Sequence, residues 1–304
     1  MKTAIVTGGA GLVGSNLCRS LSKQYKVICI DNLCTGRKEY IAGLDIDFIE
    51  HDITEPLDVK GDYIFDLASR ASPVDFEKHP IEIMMTNSLG VKNLLDLASK
   101  TKAKFLMAST SEVYGEPLEH PQKETYRGNV STTGPRACYD ESKRFAEALT
   151  MAYIKEKGVD ARIVRIFNTY GPNQRTGDGR VVPNFITQAL AGKPLTVYGK
   201  GTQTRSFCYV EDLVDGIQKA MFTEGTKGEI YNLGNPTEHT ILEFAKKIKE
   251  LTGSSSEITF KPLPKDDPTR RKPDITKAKK ELGWTPKTNL EAGLKKTIDY
   301  FRKA

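Results

Sequence analysis

The sequence predicts an α/β protein built on a doubly wound parallel sheet, with a smaller C-terminal lobe. In the first half of the chain, short aliphatic runs alternate with longer amphipathic stretches. A glycine-rich turn follows the first run, and glycine and proline become denser after about residue 167. Because strands that alternate with helices pair in parallel through right-handed crossovers, the first half predicts a sheet with helices on both faces.

The individual elements follow from the spacing of apolar residues. Aliphatic runs predict strands at residues 3–6, 26–30, 63–67, 104–108 and 161–166. Amphipathic patterns predict helices at residues 12–22, 81–99 and 139–157. The second half predicts a strand at 229–233 and helices at 183–191, 210–222, 240–251 and about 290–301. Residues 263–273 are polar and broken by prolines, which favours a loop.

Composition limits the class of protein. The 304 residues are 38% hydrophobic and 28% charged, with a formal net charge of +6. This positive balance suits an anionic ligand, whereas no basic tract or aromatic stripe supports nucleic acid binding. The five cysteines are odd in number and form no C-x-x-C pair, so we expect neither a disulfide framework nor a metal site. No apolar segment is long enough for a bilayer, and we expect a cytoplasmic protein with no membrane partner.

The glycine-rich turn predicts a dinucleotide site. Gly8, Gly11 and Gly14 lie between the first strand and the first helix, in the string TGGAGLVG. Small residues let the backbone approach a pyrophosphate closely, and the helix N-terminus supplies free N–H groups. Asp31 follows the second predicted strand, 20 residues after Gly11. A carboxylate there binds the ribose hydroxyls of NAD and repels the 2′-phosphate of NADP.

Two features near this site leave alternatives open. Arg37 and Lys38 could accept a 2′-phosphate, although Asp31 favours NAD. Asp52 follows another short run, and it either meets the adenine amino group or serves as a turn aspartate. We expect further cofactor contacts from residues beside these motifs: Leu12, Val13, Asn32, Ile53, Leu67, Ala68 and Asn87.

A tyrosine and a lysine carry the candidate chemistry. Tyr139 and Lys143 are four residues apart, which puts both on one face of the predicted helix. A neighbouring ammonium favours phenolate, so we expect Lys143 to lower the pKa of Tyr139. The tyrosine can then take the proton from a substrate hydroxyl while the cofactor oxidises the carbon.

A polar cluster at residues 109–112 follows the fourth predicted strand, where ligands of open α/β sheets bind. Ser111 is a candidate hydrogen-bond partner of the reacting hydroxyl, and Glu112 is a candidate second acid or base. The alternative is a helix cap, because Ser or Thr followed by Glu is also a capping pattern.

With these residues assembled, the chain resembles the extended short-chain dehydrogenase/reductase family. It is similar to the UDP-glucuronate decarboxylases of that family nearly end to end. The most distinctive strings are GPRACYDESKR at 134–144 and RRKPDI at 270–275, and other matches include STSEVYGEP at 109–117 and DGRVVPNF at 178–185. The resemblance implies an NAD-dependent enzyme that converts UDP-glucuronate into UDP-xylose and carbon dioxide.

The resemblance also implies roles at the matching positions. Ser111, Glu112, Tyr139 and Lys143 match the catalytic positions of the family. The remaining matches are Asn168 and Arg271 near the reacting sugar, and Arg180, Asn184, Tyr198 and Arg205 along the UDP portion. We expect the NAD-binding Rossmann domain to comprise residues 1–166 and about 206–234, and the UDP-sugar lobe to comprise about 167–205 and 235–304.

The sequence departs from the family pattern at several positions. Arg70 stands where the family usually has Pro, Arg127 where it has Trp, and Ser142 where it has Gly, and residues 131–132 replace an Asn-Pro pair. Arg70 is expected beside the nicotinamide side of the site and Arg127 in a substrate-side loop. Both add positive charge, which bears on the sugar acid that is preferred.

The implied chemistry is redox-neutral. Oxidation at C4 makes a 4-keto sugar whose carboxylate is β to the ketone, so carbon dioxide can leave; reprotonation at C5 and reduction at C4 complete the cycle. We expect Arg271 to position the sugar ring, because a tight hold on the carboxylate would stabilise the ground state. On composition alone, a solvated residue in a basic run is equally expected at this position.

Two other functions compete with this interpretation. A 4-epimerase uses the same turn and the same Tyr/Lys pair, whereas a 4,6-dehydratase usually carries Asp at the position of Ser111. A non-catalytic NAD-binding scaffold is disfavoured because Tyr139 and Lys143 are both present. We expect a homodimer that pairs through the helices at 81–99 and 139–157.

Overall fold

A computed structural model of the chain describes residues 1–263 and 270–303. Its strands, in chain order, are β1 (Thr3–Thr7), β2 (Lys26–Asp31), β3 (Asp47–Glu50), β4 (Tyr63–Asp66), β5 (Lys104–Thr110), β6 (Ala161–Ile166), β7 (Thr169–Tyr170), β8 (Leu195–Tyr198), β9 (Thr204–Ser206), β10 (Cys208–Tyr209), β11 (Ile230–Leu233), β12 (Glu238–Thr240), β13 (Ile258–Lys261) and β14 (Arg270–Arg271). Its helices are α1 (Leu12–Leu21), α2 (Pro73–Lys78), α3 (Pro80–Met85), α4 (Val91–Thr101), α5 (Ala137–Lys157), α6 (Val181–Leu190), α7 (Val210–Phe222), α8 (Ile241–Thr252), α9 (Thr276–Leu282) and α10 (Leu290–Lys303). Short helical turns lie at Lys38–Ile41, Thr86–Gly90 and Ser111–Tyr114.

Seven of the described strands form one parallel sheet in the order β11-β6-β5-β4-β1-β2-β3. The chain runs outward from β1 to β3 on one side and then from β4 to β11 on the other. Ligands of such sheets bind beyond the carboxyl ends of the strands, at this switch point beside β1. The prediction of a doubly wound parallel sheet is confirmed.

Side-chain alternation along β1 explains why helices cover both faces of the sheet. Ala4 and Val6 pack in the cluster that contains Leu17 of α1, whereas Ile5 packs in the cluster that contains Leu94 of α4. All five side chains are fully buried. A strand that is apolar at every position must be covered on both sides, because successive side chains point to opposite faces.

Smaller sheets and helices form a second layer. β9 pairs with β12 and β14, β8 pairs with β13, and β7 pairs with β10. Phe244 of α8 stacks on Phe207 with 4.2 Å between ring centroids, and it also packs on Phe185 of α6. The register of β9 and β14 puts Arg205 directly beside Arg271. This layer therefore brings two cations from distant parts of the sequence together.

The prediction of one regular helix at residues 81–99 is wrong, because the structure has two α-helices joined by a wider turn. α3 ends at Met85, a wider π-helical turn occupies Thr86–Gly90, and α4 then continues to Thr101. Gly90 packs directly against Ile53 at this turn, where a Cβ atom on the glycine would lie 2.7 Å from the isoleucine side chain. The helical period of the sequence does not reveal this contact with the neighbouring loop.

The predicted loop at residues 263–273 lies partly outside the described residues. Its described part includes β14, which pairs in parallel with β9. Pairing across the sequence therefore overrides the local preference of this polar segment. Elsewhere in the described ranges, no helix has both the length and the apolar character that crossing a membrane requires.

Candidate active site

A cavity of about 990 Å³ lies between the main sheet and the second layer. The carboxyl ends of β2 and β5 and the loops after β1 and β4 line one part, and α6, β8, β9 and β14 line another. The residues predicted for the cofactor, the substrate and catalysis line this cavity, except Asn87. Asn87 is fully buried behind the wall, where its amide nitrogen donates to Ser142 Oγ over 3.0 Å. The π-helical turn thus brings its side chain to α5, and the structure shows no place for it in the cavity wall.

Packing determines where the turn after β1 needs glycine. A Cβ atom on Gly8 would lie 2.7 Å from Leu67 O, and one on Gly14 would collide with the backbone of Gly8. A Cβ atom on Gly11 would meet nothing closer than 3.4 Å, so this position faces open space beside the backbone. α1 begins at Leu12 without a side-chain cap. Its first N–H groups are therefore available to an anion, and the turn fits the pyrophosphate of a dinucleotide.

Asp31 lies at the end of β2, beside the glycine turn. Its Oδ2 accepts a hydrogen bond from Ala10 N over 3.0 Å, and its Oδ1 accepts one from Leu33 N over 2.8 Å. Burial raises the pKa of Asp31 against the opposing effect of these bonds. Each carboxylate oxygen keeps a lone pair for a ribose hydroxyl. The geometry suits the ribose contact, which stays a prediction.

Asp52 makes the hydrogen bonds of a turn aspartate. Its Oδ1 accepts from the backbone nitrogen and the hydroxyl of Thr54 over 2.9 and 2.7 Å. Its Oδ2 accepts from Asn32 Nδ2 over 2.7 Å. Of the two alternatives left open by the sequence, the turn role is the one that these bonds show. Asp52 also lines the cavity, so the adenine contact stays a prediction.

Tyr139 lies in the first turn of α5 and is buried. Its ring stacks on Phe76 with 4.9 Å between centroids. Burial raises the pKa of Tyr139 to about 12, although a hydrogen bond with the Thr110 side chain and the charge of Arg180 oppose the rise. The expected lowering of this pKa is therefore wrong, because loss of solvent outweighs the nearby positive charge.

Lys143 is one helical turn further along α5 and is also buried. Its Nζ donates to Ala108 O over 2.9 Å, at the end of β5. Burial lowers the pKa of Lys143, while the carboxylates of Asp66 and Glu147 oppose the effect. The backbone bond holds the ammonium at the end of the sheet, where it can orient groups beside Tyr139.

Glu112 lies between two arginines. Its carboxylate accepts from Arg136 Nη2 over 2.5 Å and pairs with Arg271 Nη1 at 2.9 Å. Burial raises the pKa of Glu112, but Arg271 and Arg136 outweigh it and bring the pKa down to about 2. Glu112 is therefore ionised at neutral pH. An ionised carboxylate has no proton to give, so Glu112 can act as a base or as a fixed negative charge but not as an acid.

Arg271 comes from β14 and is 2% exposed, so the solvated alternative is wrong. Its Nη1 donates to Ser111 Oγ over 3.0 Å, and its Nη2 donates to Gly115 O over 3.0 Å. The side chain thus ties β14 to the polar cluster after β5. The capping alternative applies to Thr110 rather than Ser111, because Thr110 Oγ1 accepts from Glu112 N over 3.2 Å.

The residues predicted to hold the UDP portion line the cavity on the other lobe. Arg180 precedes α6, and its Nη2 donates to Ala71 O over 2.8 Å. Arg205 is almost fully buried on β9. The other predicted contacts line the same cavity: Asn168, Asn184 and Tyr198. Contact of any of them with a nucleotide stays a prediction.

The departures from the family pattern have distinct surroundings. Arg70 lines the cavity, and its guanidinium pairs with Glu82 at 3.1 Å. Arg127 is exposed, and its backbone oxygen accepts from Arg144. Ser142 Oγ accepts from Asn87 and donates to the backbone oxygen of Tyr139 over 3.0 Å. A glycine at position 142 would leave the Asn87 amide without this acceptor.

Sequence reasoning assigned no role to two residues of the site. Thr110 contacts the phenol of Tyr139, and Arg136 pairs with Glu112. Thr110 had a usable signal, because a polar residue at the carboxyl end of a buried strand lies at the ligand-binding edge of the sheet. Arg136 belongs to the distinctive string at 134–144, but its charge alone gave no role.

Comparison with known proteins decides the family. The model of the NAD dependent epimerase/dehydratase family matches residues 4–234, more than half of the chain. The chain belongs to this family. Epimerase/dehydratase members share the cofactor named in the family description, and the glycine turn at the end of β1 lies inside the matched region.

Individual relatives cover nearly the whole chain. UDP-glucuronic acid decarboxylase 1 of Xenopus tropicalis is 52% identical over 307 residues, which are 99% of this chain and 72% of that protein. UDP-glucose 4-epimerase of Thermotoga maritima, solved with UDP-glucose, has a TM-score of 0.91 and 33% identity, and 99% of each chain is covered. A UDP-glucuronic acid 4-epimerase variant of Bacillus cereus, solved with UDP-4-deoxy-4-fluoro-glucuronic acid and NAD, has a TM-score of 0.90 and 29% identity, again with 99% of each chain covered.

Proposed function

We propose that the chain decarboxylates UDP-glucuronate to UDP-xylose and carbon dioxide, with NAD as its bound cofactor. The observation that carries the proposal is the buried Arg271, which binds both Ser111 and Glu112 within the cavity that Tyr139 lines. A 4-epimerase needs no such arginine beside the polar cluster. The near-full-length similarity to a decarboxylase supports the same conclusion.

The chain's own groups account for the proton transfers. Bound NAD supplies the oxidation at C4 and its reversal, so the net reaction needs no external oxidant. Tyr139 takes the proton of the C4 hydroxyl. The bond between C5 and the carboxylate then breaks, carbon dioxide leaves, and the electron pair remains as the enolate of the 4-keto sugar. Tyr139 finally returns its proton to the C4 oxygen.

C5 needs a proton after carbon dioxide has left. Glu112 is ionised at neutral pH, because two arginines keep its pKa near 2. The Ser111 hydroxyl keeps its proton and accepts a hydrogen bond from Arg271. That bond favours transient loss of the serine proton. We therefore assign the proton delivery to Ser111, which then regains a proton from solvent, with Glu112 as a fixed charge that holds Arg271 in place.

Product analysis tests the function directly. Incubation with UDP-glucuronate and NAD is expected to give UDP-xylose by mass spectrometry and one carbon dioxide per turnover. Tyr139→Phe is expected to slow turnover by at least about 100-fold. Tyr153→Phe is the matched control, because that phenol lies on the same helix and bonds Asp96 at the surface. Conversion to the C4 epimer without carbon dioxide would support the epimerase instead.

A homodimer and a cytoplasmic location remain part of the proposal. Large apolar side chains are exposed on the helical surface from α3 to the π-helical turn and on α5: Ile81, Met84, Leu89, Phe145 and Met151. Exposed apolar groups on adjacent elements support an interface between two copies. Light scattering with Phe145→Glu, which should yield monomers, tests it. The odd number of cysteines, which favours a reducing compartment, supports the cytoplasmic location.

A further inference from the structure

The peptide bond that follows Arg271 is held by a side chain at each of its polar groups. Ser206 of β9 donates from its Oγ to Arg271 O over 3.1 Å. Lys272 N donates to Oε1 of Gln122 over 2.9 Å. Gln122 lies in the segment between the Ser111–Tyr114 turn and α5, and it is fully buried. Because both the oxygen and the nitrogen of this peptide are bound, its orientation is fixed directly beside the Arg271 side chain.

The remaining polar groups of Gln122 hold it against the same segment. Its backbone nitrogen donates to Lys272 O over 2.9 Å, and its backbone oxygen accepts from Asp274 N over 2.8 Å. Its Nε2 donates to Glu119 O over 2.8 Å, which turns Oε1 toward Lys272. β9 pairs with β14 as far as Arg271. Gln122 therefore takes over the pairing of the chain immediately after the arginine.

The main sheet anchors Gln122 in turn. Asn232 of β11 donates from Nδ2 to Gln122 O over 3.0 Å, and its Oδ1 accepts from the Tyr114 hydroxyl over 2.7 Å. Tyr114 ends the short turn that begins at Ser111, whose hydroxyl accepts from Arg271. All five side chains are buried, and a buried network with satisfied bonds is rigid. The network thus fixes the backbone of the arginine relative to the turn that its guanidinium binds.

We propose that Gln122 is a positioning residue for the reaction, because it sets the place from which Arg271 reaches Ser111 and the substrate. Gln122 does not line the cavity that the described residues form, so it acts through Arg271 rather than on the sugar. A displacement of about 1 Å in a catalytic site can cost about 100-fold in rate. The inference rests on the proposed function only in that Arg271 acts on the substrate.

Turnover measurements test the contact with Lys272. Gln122→Met keeps the length of the side chain and leaves the Lys272 amide without its acceptor. We expect kcat for UDP-glucuronate to fall about tenfold and KM to change less than about twofold, because the UDP portion is held elsewhere in the cavity. Ser206→Ala frees the other polar group of the same peptide and should give the same pattern. A kcat equal to that of wild type in Gln122→Met overturns the proposal.

The conservative variant should restore turnover. Gln122→Glu keeps an oxygen that accepts from the Lys272 amide. A buried carboxyl also retains its proton more readily than an exposed one, so at pH 6 it can donate to Glu119 O as the amide does. We expect its kcat at pH 6 to lie within about threefold of the wild-type value. A glutamate variant that is no faster than the methionine variant contradicts the assignment.

A double-mutant cycle separates positioning from a purely structural role. In an Arg271→Ala background, Gln122→Met should lower kcat less than about twofold, because the side chain that it positions is gone. Thr226→Val is the control: Thr226 is buried before β11, at the amino end of the sheet, and its hydroxyl donates to Thr223 O over 3.0 Å. It should lower the melting temperature and leave kcat unchanged. Equal losses from Gln122→Met in both backgrounds refute the proposal.

Hydrogen exchange tests the hold on β14 without the reaction. In Gln122→Met, mass spectrometry should show the Lys272 amide exchanging at least about tenfold faster, with the amides of α1 unchanged. Unchanged exchange at Lys272 contradicts the proposal. If wild type releases no carbon dioxide but this exchange accelerates, the proposed function fails and the hold on Arg271 stands. If carbon dioxide is released while exchange and kcat of the methionine variant match wild type, the reverse holds.

Discussion

Replacing Glu112 with glutamine removes the negative charge that lies between Arg136 and Arg271 and leaves the size of the side chain nearly unchanged. The two guanidinium groups, that of Arg271 buried and that of Arg136 partly buried, then lie near each other with a neutral amide between them. Removing one member of a buried charge cluster is strongly destabilising, because the charges left behind have lost both water and their partner. The same change should stop decarboxylation, since Arg271 would no longer be held against Ser111.

The magnitude follows from the pKa of Glu112. The pKa falls from an ordinary value of 4.5 to about 2 in the folded protein. Each pKa unit corresponds to about 1.4 kcal/mol, so ionised Glu112 contributes about 3 kcal/mol to folding at neutral pH. Because the folded-state pKa is lowered, this contribution is complete above about pH 4.5 and is lost as the pH falls toward 2. It should be about 1 kcal/mol near pH 3.

Urea denaturation of Glu112→Gln and wild type gives the free energy of unfolding at each pH. We expect a loss of about 3 kcal/mol at pH 7 that shrinks below pH 4.5. Glu141→Gln is the matched control on α5, since its pair with Arg144 is 3.6 Å apart and partly exposed; it should cost under about 0.5 kcal/mol. A Glu112→Gln loss below about 1 kcal/mol at pH 7, or one independent of pH, would refute this electrostatic account.

Two further predictions concern neighbours of Tyr139. Thr110→Val removes the hydroxyl that lowers the pKa of Tyr139, so turnover should fall about tenfold and the pH–rate profile should move to higher pH, with Thr110→Ser restoring both. Burial and the charge of Glu112 raise the pKa of Asp140 to about 7. The folded protein therefore keeps Asp140 protonated where the unfolded chain has lost the proton, and ionising the buried carboxyl lowers the free energy of unfolding as the pH rises from about 3.8 through 7. Asp140→Asn should therefore raise the melting temperature more at pH 8 than at pH 5, and an equal change at both values would contradict this.

The main sheet could be predicted because its signals are local. β1 has an aliphatic centre that a glycine turn follows directly, and β4 is a short, fully buried run of aromatic and aliphatic residues that ends in Asp66. β3 has polar ends and is only partly buried, and β7 and β10 contain two residues each, too few for a period to show. Such strands exist because distant segments meet. The predicted division into two lobes stays a prediction.

The site could be predicted only where its residues lie close in sequence. Tyr139 and Lys143 share one helix, and Gly8 to Gly14 share one turn, so spacing alone identified them. Arg271 is 160 residues from Ser111, and composition left its role open until the resemblance supplied one. The pKa of Tyr139 depends on burial, which no spacing reveals.

The hydrogen bonds of Arg271 explain how a site can bind a uronic acid and still release its carboxylate. Nη1 is used by Ser111 and Glu112, Nη2 is used by Gly115, and Nε is the nitrogen without a partner. Three of its five N–H groups are thus committed to the protein, which leaves little of the guanidinium free to clamp a carboxylate. Since the carboxylate becomes neutral carbon dioxide in the reaction, a clamp would stabilise the ground state more than the transition state and slow the reaction. Glu112, by neutralising Arg271, keeps that hold weak, so the guanidinium orients the sugar without retaining the group that must leave.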